Sequence, residues 1–196
     1  MSYGYDAAGR LKSETRTGEA TIYSQDALYR VRTRSRGGVT ETCTYDPMGK
    51  LARFTDATGS TDFGYNEAEE LVGKVSNVYG GLHATTWAYD VAGRLIGMGY
   101  DGSQLSLGFD YNTVGKLSRI RTSKGGTWGV LASQFLYQPA TGKRYGWRFN
   151  NSIPRLDTLD TDGRIEKIYC INAVNQTYGY DATDTLNRIT GLAPFG

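Results

Sequence analysis

A short motif that recurs along the whole chain constrains the fold more than any other feature of the sequence. Its strong copies share an aromatic residue, Asp or Asn, two variable positions, Gly, a basic residue and Leu. Four such copies occupy Tyr5–Leu11, Tyr45–Leu51, Tyr89–Leu95 and Tyr111–Leu117. A motif repeated at this length is typical of proteins that stack one small unit many times.

Weaker copies fill the gaps in the same phase. With the Asp-type position as marker, nine units of 20–26 residues start at Asp6, Asp26, Asp46, Asn66, Asp90, Asn112, Gln138, Asp160 and Asp184. The number of residues between successive markers is always even. Side chains on a strand alternate between its two faces, so residues added in pairs lengthen a hairpin without changing which face is buried. In the last unit we place Asn187 at the Gly position. The sequence therefore predicts a single repeat domain spanning residues 1–196.

The motif has the chemistry of a hairpin turn. Asp or Asn at the first position of a type I turn accepts backbone amides two residues on, and Gly three positions later supplies the positive φ of a G1 bulge. The strong predictions are Asp6–Gly9, Asp46–Gly49, Asp90–Gly93, Asn112–Gly115 and Asp160–Gly163. Tyr29 and Glu69 stand at the Gly position of weaker copies, and we expect those two turns to differ because large residues avoid positive φ.

A second turn separates successive motifs, so each unit is predicted as strand, turn, strand, turn. These turns are placed at Gly18, Gly37–Gly38, Gly59, Gly80–Gly81, Asp101–Gly102, Gly125–Gly126 and Asn172. Nine units give an all-β antiparallel meander of up to about eighteen strands, which must curl or split because neighbouring strands twist. Residues 66–77 alone would suggest a helix, with Asn66 as cap and Leu71 and Val75 at helical spacing. Their phase with the repeat favours a distorted hairpin.

The YD-x-x-G-R-L unit resembles the YD repeat of rearrangement-hotspot (Rhs) proteins, also found in the B and C components of insecticidal toxin complexes and in teneurins. The resemblance covers nearly the whole chain. It implies a β-sheet strip that forms a hollow shell around a C-terminal toxin, and an exported or cell-surface location. Asp46-Pro47-Met48-Gly49 resembles the start of the family's D-P-x-G-L self-cleavage signature. Because Lys50 follows and the segment lies in repeat phase, we interpret it as an ordinary turn.

The residue types in the sequence give little support for a catalytic or metal-binding site. His83 is the only histidine and there is no Cys-x-x-Cys pair, which excludes metal clusters built on several His. A constellation of Cys43, His83 and an Asp is conceivable, but Cys43 stands two residues before Tyr45, where packing as a small hydrophobe explains it better. We expect no catalytic, metal-binding or cofactor-binding residue. Cys43 and Cys170 could pair in an oxidising compartment; two free thiols are the favoured interpretation.

The partners are constrained by charge and by aromatic residues. A net charge of +2 with interspersed signs predicts no nucleic-acid partner, and no apolar stretch is long enough for membrane insertion. Trp87, Trp128 and Trp147 could form an exposed surface that stacks on sugars, which would make the chain a repeat-built binding module for carbohydrate or a cell-surface protein. Aromatic rows at strand period are more often packed, so the leading hypothesis is a non-catalytic shell segment.

The edges of such a sheet bear on its assembly. The first strand, Tyr3-Gly4-Tyr5, has neither Pro nor charge to discourage pairing with another strand. We therefore expect the sheet to pair with further repeats or to self-associate through an end strand. A closed barrel instead of an open shell remains the alternative architecture.

Overall fold

The structure is a computed structural model that describes residues 1–101, 104–171 and 174–191. Within these ranges the chain forms eighteen antiparallel β-strands and no helix. The predicted all-β class and hairpin order are confirmed. The chain divides into two compact units, Met1–Gly102 and Ser103–Gly196. The organisation as one domain of nine repeats stays a prediction.

The first unit contains ten strands, each paired with the next along the chain. They are β1 (Ser2–Tyr5), β2 (Leu11–Arg16), β3 (Glu19–Gln25), β4 (Val31–Arg36), β5 (Val39–Tyr45), β6 (Leu51–Asp56), β7 (Gly59–Tyr65), β8 (Leu71–Val78), β9 (Gly81–Tyr89) and β10 (Leu95–Tyr100). The segment 66–77 is a turn followed by most of β8, so the hairpin interpretation of that segment is confirmed over the helix.

The second unit contains eight strands in the same consecutive antiparallel order. They are β11 (Leu105–Tyr111), β12 (Leu117–Lys124), β13 (Thr127–Tyr137), β14 (Arg144–Phe149), β15 (Pro154–Leu159), β16 (Ile165–Cys170), β17 (Val174–Tyr180) and β18 (Leu186–Thr190). A turn between β14 and β15, in which the Ser152 amide donates to the Phe149 carbonyl at 3.0 Å, has no counterpart among the predicted turns. The predicted turn residues Gly102 and Asn172 lie outside the described residues.

The motif turns join the odd-numbered strands to the even-numbered strands that follow. At Asp90–Gly93 the Gly93 amide donates to the Asp90 carbonyl at 2.9 Å, and the Asp90 amide donates to the Arg94 carbonyl at 2.9 Å. Gly93 has φ of 73°. The strand pairing shifts register just after the turn, between Leu95 and Gly97. This is the geometry of a type I turn with a G1 bulge.

The turns at Tyr29 and Glu69 do not differ from the others, so that expectation is wrong. Tyr29 adopts φ of 64° and Glu69 φ of 63°, within the left-handed region that Gly occupies elsewhere. Their amides donate to the Asp26 and Asn66 carbonyls at 3.1 and 2.9 Å. The flanking strands fix the turn, and the left-handed backbone of a non-Gly residue costs only about 1–2 kcal/mol.

The last repeat was misplaced in the sequence analysis. Asn187 lies inside β18, and the turn is formed by Asp181 and Asp184, whose amide donates to the Asp181 carbonyl at 3.1 Å. Asp184, with φ of 63°, takes the Gly position. The last marker is therefore Asp181, and the step from Asp160 becomes odd. The strands on either side still pair in register, with Cys170 opposite Val174.

Register gives the first unit two chemically different faces. On one face charged and aromatic residues stand opposite each other, as in the pairs Tyr23–Arg34, Arg34–Glu41 and Cys43–Phe54. On the other, hydroxyls are paired, with Ser24 to Thr33 at 2.6 Å and Ser35 to Thr40 at 2.8 Å. Such cross-strand pairs are the unit of stabilisation in a sheet.

Little of the described chain is buried. Seven positions are, namely Thr21, Gly108, Ser123, Ala132, Gly146, Asp157 and Cys170. None of the described large side chains is fully buried. Stability therefore depends mainly on hydrogen-bonded ladders, turns and cross-strand contacts rather than on a thick apolar core.

The left-handed turn position is testable at Gly93. Replacing it with Val should lower the free energy of unfolding by about 1–3 kcal/mol, because a β-branched side chain is strained at positive φ. Gly93→Asn should cost less than about 1 kcal/mol, since Asn tolerates this backbone. Urea melts of the two purified variants measure the difference. Equal effects of Val and Asn would show that Gly93 is not held in a left-handed conformation in solution.

Candidate functional site

Eight of the nine motif turns are capped by the Asp or Asn side chain at their first position; the turn at Gln138 differs, since Gln138 Oε1 accepts the Thr141 hydroxyl instead. Asp90 Oδ1 accepts the Ala92 and Arg94 amides at 2.9 and 3.0 Å. The same pair of bonds forms at Asp6, Asp26, Asn112, Asp160 and Asp181. At Asp46 and Asn66 the bond to the amide four residues on forms. Asp46–Gly49 adopts the same backbone turn as the other copies.

The basic residue of the motif binds the second carboxylate oxygen. Arg30, Arg94 and Arg164 each donate through Nε to the Oδ2 atom of the Asp four residues earlier, at 2.7 Å. Arg10 makes the same bond to Asp6. These side chains are about a quarter to two fifths exposed. The turn Asp thus fixes both its own backbone and the direction of the guanidinium.

The basic side chain then contacts the tyrosine that precedes the next motif turn. The Arg30 guanidinium carbon lies 4.3 Å from the ring centroid of Tyr45, and that of Arg164 lies 4.6 Å from Tyr180. Lysine fills the same role with Lys50 over Tyr65 at 5.4 Å and Lys116 over Tyr137 at 5.0 Å. These are cation–π distances.

The tyrosine hydroxyl completes the link to the preceding repeat. Each hydroxyl donates to the carbonyl of the residue that follows the fifth position of that turn, which is basic in every case except Glu70, before Leu71. The bonds are Tyr45 to Val31 at 2.8 Å, Tyr65 to Leu51 at 3.1 Å, Tyr89 to Leu71 at 3.0 Å, Tyr137 to Leu117 at 2.9 Å and Tyr180 to Ile165 at 2.9 Å. In the second repeat Gln25 replaces tyrosine and donates through Nε2 to the Leu11 carbonyl at 3.0 Å.

We call this set of turn Asp, basic residue and following tyrosine the repeat clamp. From the sequence, a structural role was predicted only for the Asp and Gly positions; the roles of the basic residue and the tyrosine were not predicted. Both recur in the strong copies, so the signal was present. Its meaning was hidden because the two residues that meet belong to different repeats.

The hydrogen bonds at the motif turns lower the pKa values of the turn carboxylates. The hydrogen bond from the Arg30 side chain lowers the pKa of Asp26, and that from Arg94 lowers the pKa of Asp90. The Thr183 hydroxyl does the same for the pKa of Asp181. Carboxylates that are held ionised by several donors act as acceptors in the structure rather than as proton donors.

The three predicted tryptophans lie in different units, Trp87 in the first and Trp128 and Trp147 in the second. Trp87 is half-buried in β9. Trp147 in β14 contacts Phe135 and Phe149, and the guanidinium carbons of Arg144 and Arg155 each lie 4.7 Å from its ring centroid. Trp128 in β13 is 50% exposed.

Trp128 and Trp147 project from opposite faces of the second unit. Register pairs Trp128 with Ser123, and Ala132 with both Ile120 and Phe149. Ile120 and Ser123 are three residues apart on β12, so their side chains point to opposite faces of the sheet. Their partners Ala132 and Trp128 therefore also point to opposite faces. Trp147 lies on the face of Phe149, two residues along β14.

The candidate catalytic residues are placed separately. His83 Nδ1 lies 3.3 Å from Asp101 Oδ2 and 3.2 Å from the Tyr100 hydroxyl, with no contact to Cys43. Cys43 stands opposite Phe54, and burial raises the pKa of its thiol. Cys43 and Cys170 are free thiols.

Across residues 1–101, 104–171 and 174–191, no cluster of three or more His, Cys, Asp or Glu could hold a metal ion. The same part of the chain contains no helix long and apolar enough to span a membrane.

A groove on the charged face of β2–β5 carries its own counter-charges. It has a volume of about 520 Å³. Within it Arg34 binds Glu41 and Arg36 binds Glu19, both at 2.7 Å. Tyr23 donates to Glu14 at 2.9 Å. Side chains that satisfy each other in this way leave no strong demand for a charged ligand.

Comparisons with known proteins find similarity at the level of fold. Neither a family model nor a curated protein sequence matches the chain. Among solved structures, a crystal structure of TcdB2-TccC3 without its hypervariable C-terminal region matches with a TM-score of 0.78 and 14% identity, covering 96% of this chain and 11% of that one. A second TcdB2-TccC3 crystal structure gives 0.67 and 14%, covering 97% and 12%.

A Tc holotoxin pore from Photorhabdus luminescens gives a TM-score of 0.68 and 15% identity, covering 97% of this chain and 12% of that one. The chain thus spans roughly a tenth of the length of these similar chains. At such low identity the likeness shows a shared fold. The strip of hairpins is therefore the same architecture that forms part of these toxin complexes.

The clamp contact is testable with a double-mutant cycle on Arg30 and Tyr45. Arg30→Ala and Tyr45→Leu should be less destabilising together than the sum of the single effects, with a coupling of about 0.5–1 kcal/mol for a cation–π pair near the surface. Urea melts of the four proteins give the coupling. As control, Arg30→Ala and Tyr65→Leu should be additive, because the Tyr65 ring lies over Lys50 instead. Coupling of equal size in both cycles would contradict a specific contact.

The pKa shifts predict an acid-dependent loss of stability. The pKa of Asp90 is lower in the folded than in the unfolded chain, so its contribution is present above about pH 4 and is lost as pH falls through the folded value. Asp90→Asn should therefore be less stable than the native chain at pH 7, and the two should converge near pH 2. Melting temperatures recorded from pH 7 to pH 2 measure this convergence.

The turn at Asn112 offers the matched control, because it has the same geometry without a carboxylate. Asn112→Asp should make the melting temperature of the chain depend more steeply on pH in the acidic range. A gap between the native chain and Asp90→Asn that stays constant from pH 7 to pH 2 would contradict the stabilising role of the ionised turn Asp.

Proposed function

We propose that this chain is a non-catalytic wall segment of a YD-repeat, Rhs-type shell, exported as part of a toxin complex that encloses or delivers a C-terminal toxin. The observation that carries the proposal is the repeat clamp, which links neighbouring hairpin repeats in both units, through Asp26, Arg30 and Tyr45 in the first and through Asp160, Arg164 and Tyr180 in the second. The shared fold with TcdB2-TccC3 supports it.

The clamp suits a wall because it acts only between neighbours. A repeat protein of this kind gains stability from the sum of nearest-neighbour contacts, and its length can grow without a larger core. The small number of buried positions agrees with a thin strip whose two faces stay available. A compact enzyme fold would instead bury large side chains around one core.

The non-enzymatic part of the proposal rests on how the acids are used. In four repeats the turn carboxylate accepts two backbone amides and an arginine as well. General acid–base catalysis needs a group that is free to exchange a proton with a substrate. The recurring acids are committed to the turns and their clamps.

We also propose that the end strands accept further repeats or a second copy of the chain. In the described part of its unit, the register found for β1 is with β2, and its Tyr3 and Tyr5 side chains are 52% and 61% exposed. In β18 all five residues are exposed. Strands of this kind are templates for pairing with another strand.

A repeat-built binding module remains the second candidate function. The observation that favours it is the half-exposed indole of Trp128, which has no counterpart in the clamp. The two functions are compatible, because a wall segment has an outward surface.

The shell proposal is tested by protease protection in the complete gene product that carries this segment. The region that follows the repeats should resist trypsin under native conditions and be digested once urea unfolds the repeats. The same region made alone should be digested rapidly. Equal digestion rates in the two settings would overturn enclosure.

Variants of the repeat clamp test whether this protection from protease depends on the contacts between repeats. Arg30→Ala combined with Tyr45→Leu should accelerate digestion of the following region, because a weakened repeat opens the wall. Arg53→Ala is the matched control, since Arg53 is an exposed strand residue that pairs with Asp62 outside any clamp. Acceleration by the control alone would contradict the role assigned to the clamp.

A further inference from the structure

The junction between the fourth and fifth repeats has the tyrosine of the repeat clamp but a carboxylate in place of its cation. Tyr89 donates to the Leu71 carbonyl at 3.0 Å, as the clamp tyrosines do at the other junctions. The fifth position of the preceding turn is Glu70 instead of Arg or Lys. Among the residues that the structure describes, none places a cation over the Tyr89 ring, which is partly exposed.

The Glu70 carboxylate lies where another junction holds a positive charge. A Cβ built on Gly93, in the turn that follows, would meet Glu70 Oε1 at 3.0 Å. At the equivalent glycine, Gly49, that Cβ would meet Arg30 Nη1 at 3.3 Å. The other carboxylate oxygen, Glu70 Oε2, accepts Asn66 Nδ2 at 2.8 Å. The same place beside the turn is therefore negative at Gly93 and positive at Gly49.

The groups at this junction match the contacts that an ammonium group makes. An ammonium has three N–H donors and no acceptor. Glu70 supplies a carboxylate, and the face of the Tyr89 ring attracts a cation. The Gly93 carbonyl is the counterpart of the Gly163 carbonyl, which accepts Lys143 Nζ at 2.9 Å. A carboxylate, a ring face and a carbonyl thus border one position beside the turn.

The first residue of the turn favours an ammonium over a guanidinium. Arginines of the clamp donate through Nε to the second carboxylate oxygen of a turn Asp. Asn66 has an amide there and no such oxygen. The other two turns that start with an amide, at Asn112 and Gln138, are followed by Lys116 and Lys143 at the basic position. Lysine is therefore the cation that this chain uses beside an amide turn.

We propose that Glu70, Tyr89 and the Gly93 carbonyl form a binding site for an alkylammonium group supplied from outside the chain. Its source is a lysine side chain of a partner polypeptide or a free diamine. The bound ammonium takes the role of the clamp cation and links the fourth repeat to the fifth. The site does not rest on the proposed wall function, because it requires only the contacts between these two repeats.

Backbone amide NMR of the isotope-labelled 196-residue chain tests the site at constant ionic strength. A capped Gly-Lys-Gly peptide and putrescine are the two probes, and each should shift the Gly93 and Glu70 amide signals saturably. Glu70→Gln should weaken binding of both by about threefold or more, because the charge that attracts the ammonium is removed. Glu67→Gln is the matched control, since Glu67 is an exposed acid of the same turn outside the clamp position. It should bind as the native chain does.

A second variant, Glu70→Lys, supplies the cation from within the chain. It should bind neither probe at this site, because its own ammonium occupies it. Its melting temperature should rise by about 1–4 °C, the effect of one surface cation–π contact in a chain of this size. Lys50 and Lys116 already hold the same motif position over Tyr65 and Tyr137.

The relative affinity of the two probes distinguishes the sources. Tighter binding of the peptide identifies a partner's lysine, and tighter binding of putrescine identifies a free diamine. Three results would overturn the site itself. They are no saturable shift with either probe, equal affinity of Glu70→Gln and the native chain, and equal affinity for tetramethylammonium, which has no N–H donor. Because the readout is ammonium affinity of the chain alone, failure here is distinguishable from failure of the protease-protection test.

Discussion

The contact between the basic residue of one turn and the tyrosine before the next is the side-chain interaction that links neighbouring hairpin repeats in this structure. A single hairpin is marginally stable in water, so each repeat must gain free energy from its neighbours. In a globular protein a shared apolar core would supply it, but here the buried positions are few and mostly small. The clamp supplies a directional link at the point where each hairpin turns.

The magnitudes explain why the motif must recur. A cation–π contact near the surface contributes about 0.5–1 kcal/mol, and a hydrogen bond such as that from Tyr45 to the Val31 carbonyl a net of about 0.5–1.5 kcal/mol. Neither alone outweighs the entropy of ordering a repeat of some twenty residues. Added at successive interfaces to the backbone ladders, they bias the chain toward one register over the alternatives.

The sequence could predict what is local and periodic. Asp90 and Gly93 specify their turn through their own chemistry, and alternation of side chains specifies the strands. Tyr29, Glu69 and Asp184 show where this reasoning fails, because the flanking strands hold those residues at positive φ against their own preference. The clamp was missed because Arg30 and Tyr45 are fifteen residues apart in sequence and meet only through the register of three strands.

The candidate binding residues show a second limit of sequence reasoning. The pairing of β12 with β13 shifts between Ile120 and Arg121, opposite Ala132 and Val130. This bulge changes the parity of β13, so spacing along the chain does not tell which face Trp128 occupies. Only the register places it opposite the face of Trp147 and beside Arg121.

The location of the clamp leaves the rest of each strand free to vary. Its residues lie at the turns and at the adjoining strand ends, whereas Trp128, the Arg34–Glu41 pair and the Ser24–Thr33 hydroxyls occupy strand positions away from the motif turns. Substitutions at those positions alter surface chemistry without breaking the links between repeats. A strip built in this way can keep one architecture while its faces acquire separate recognition sites.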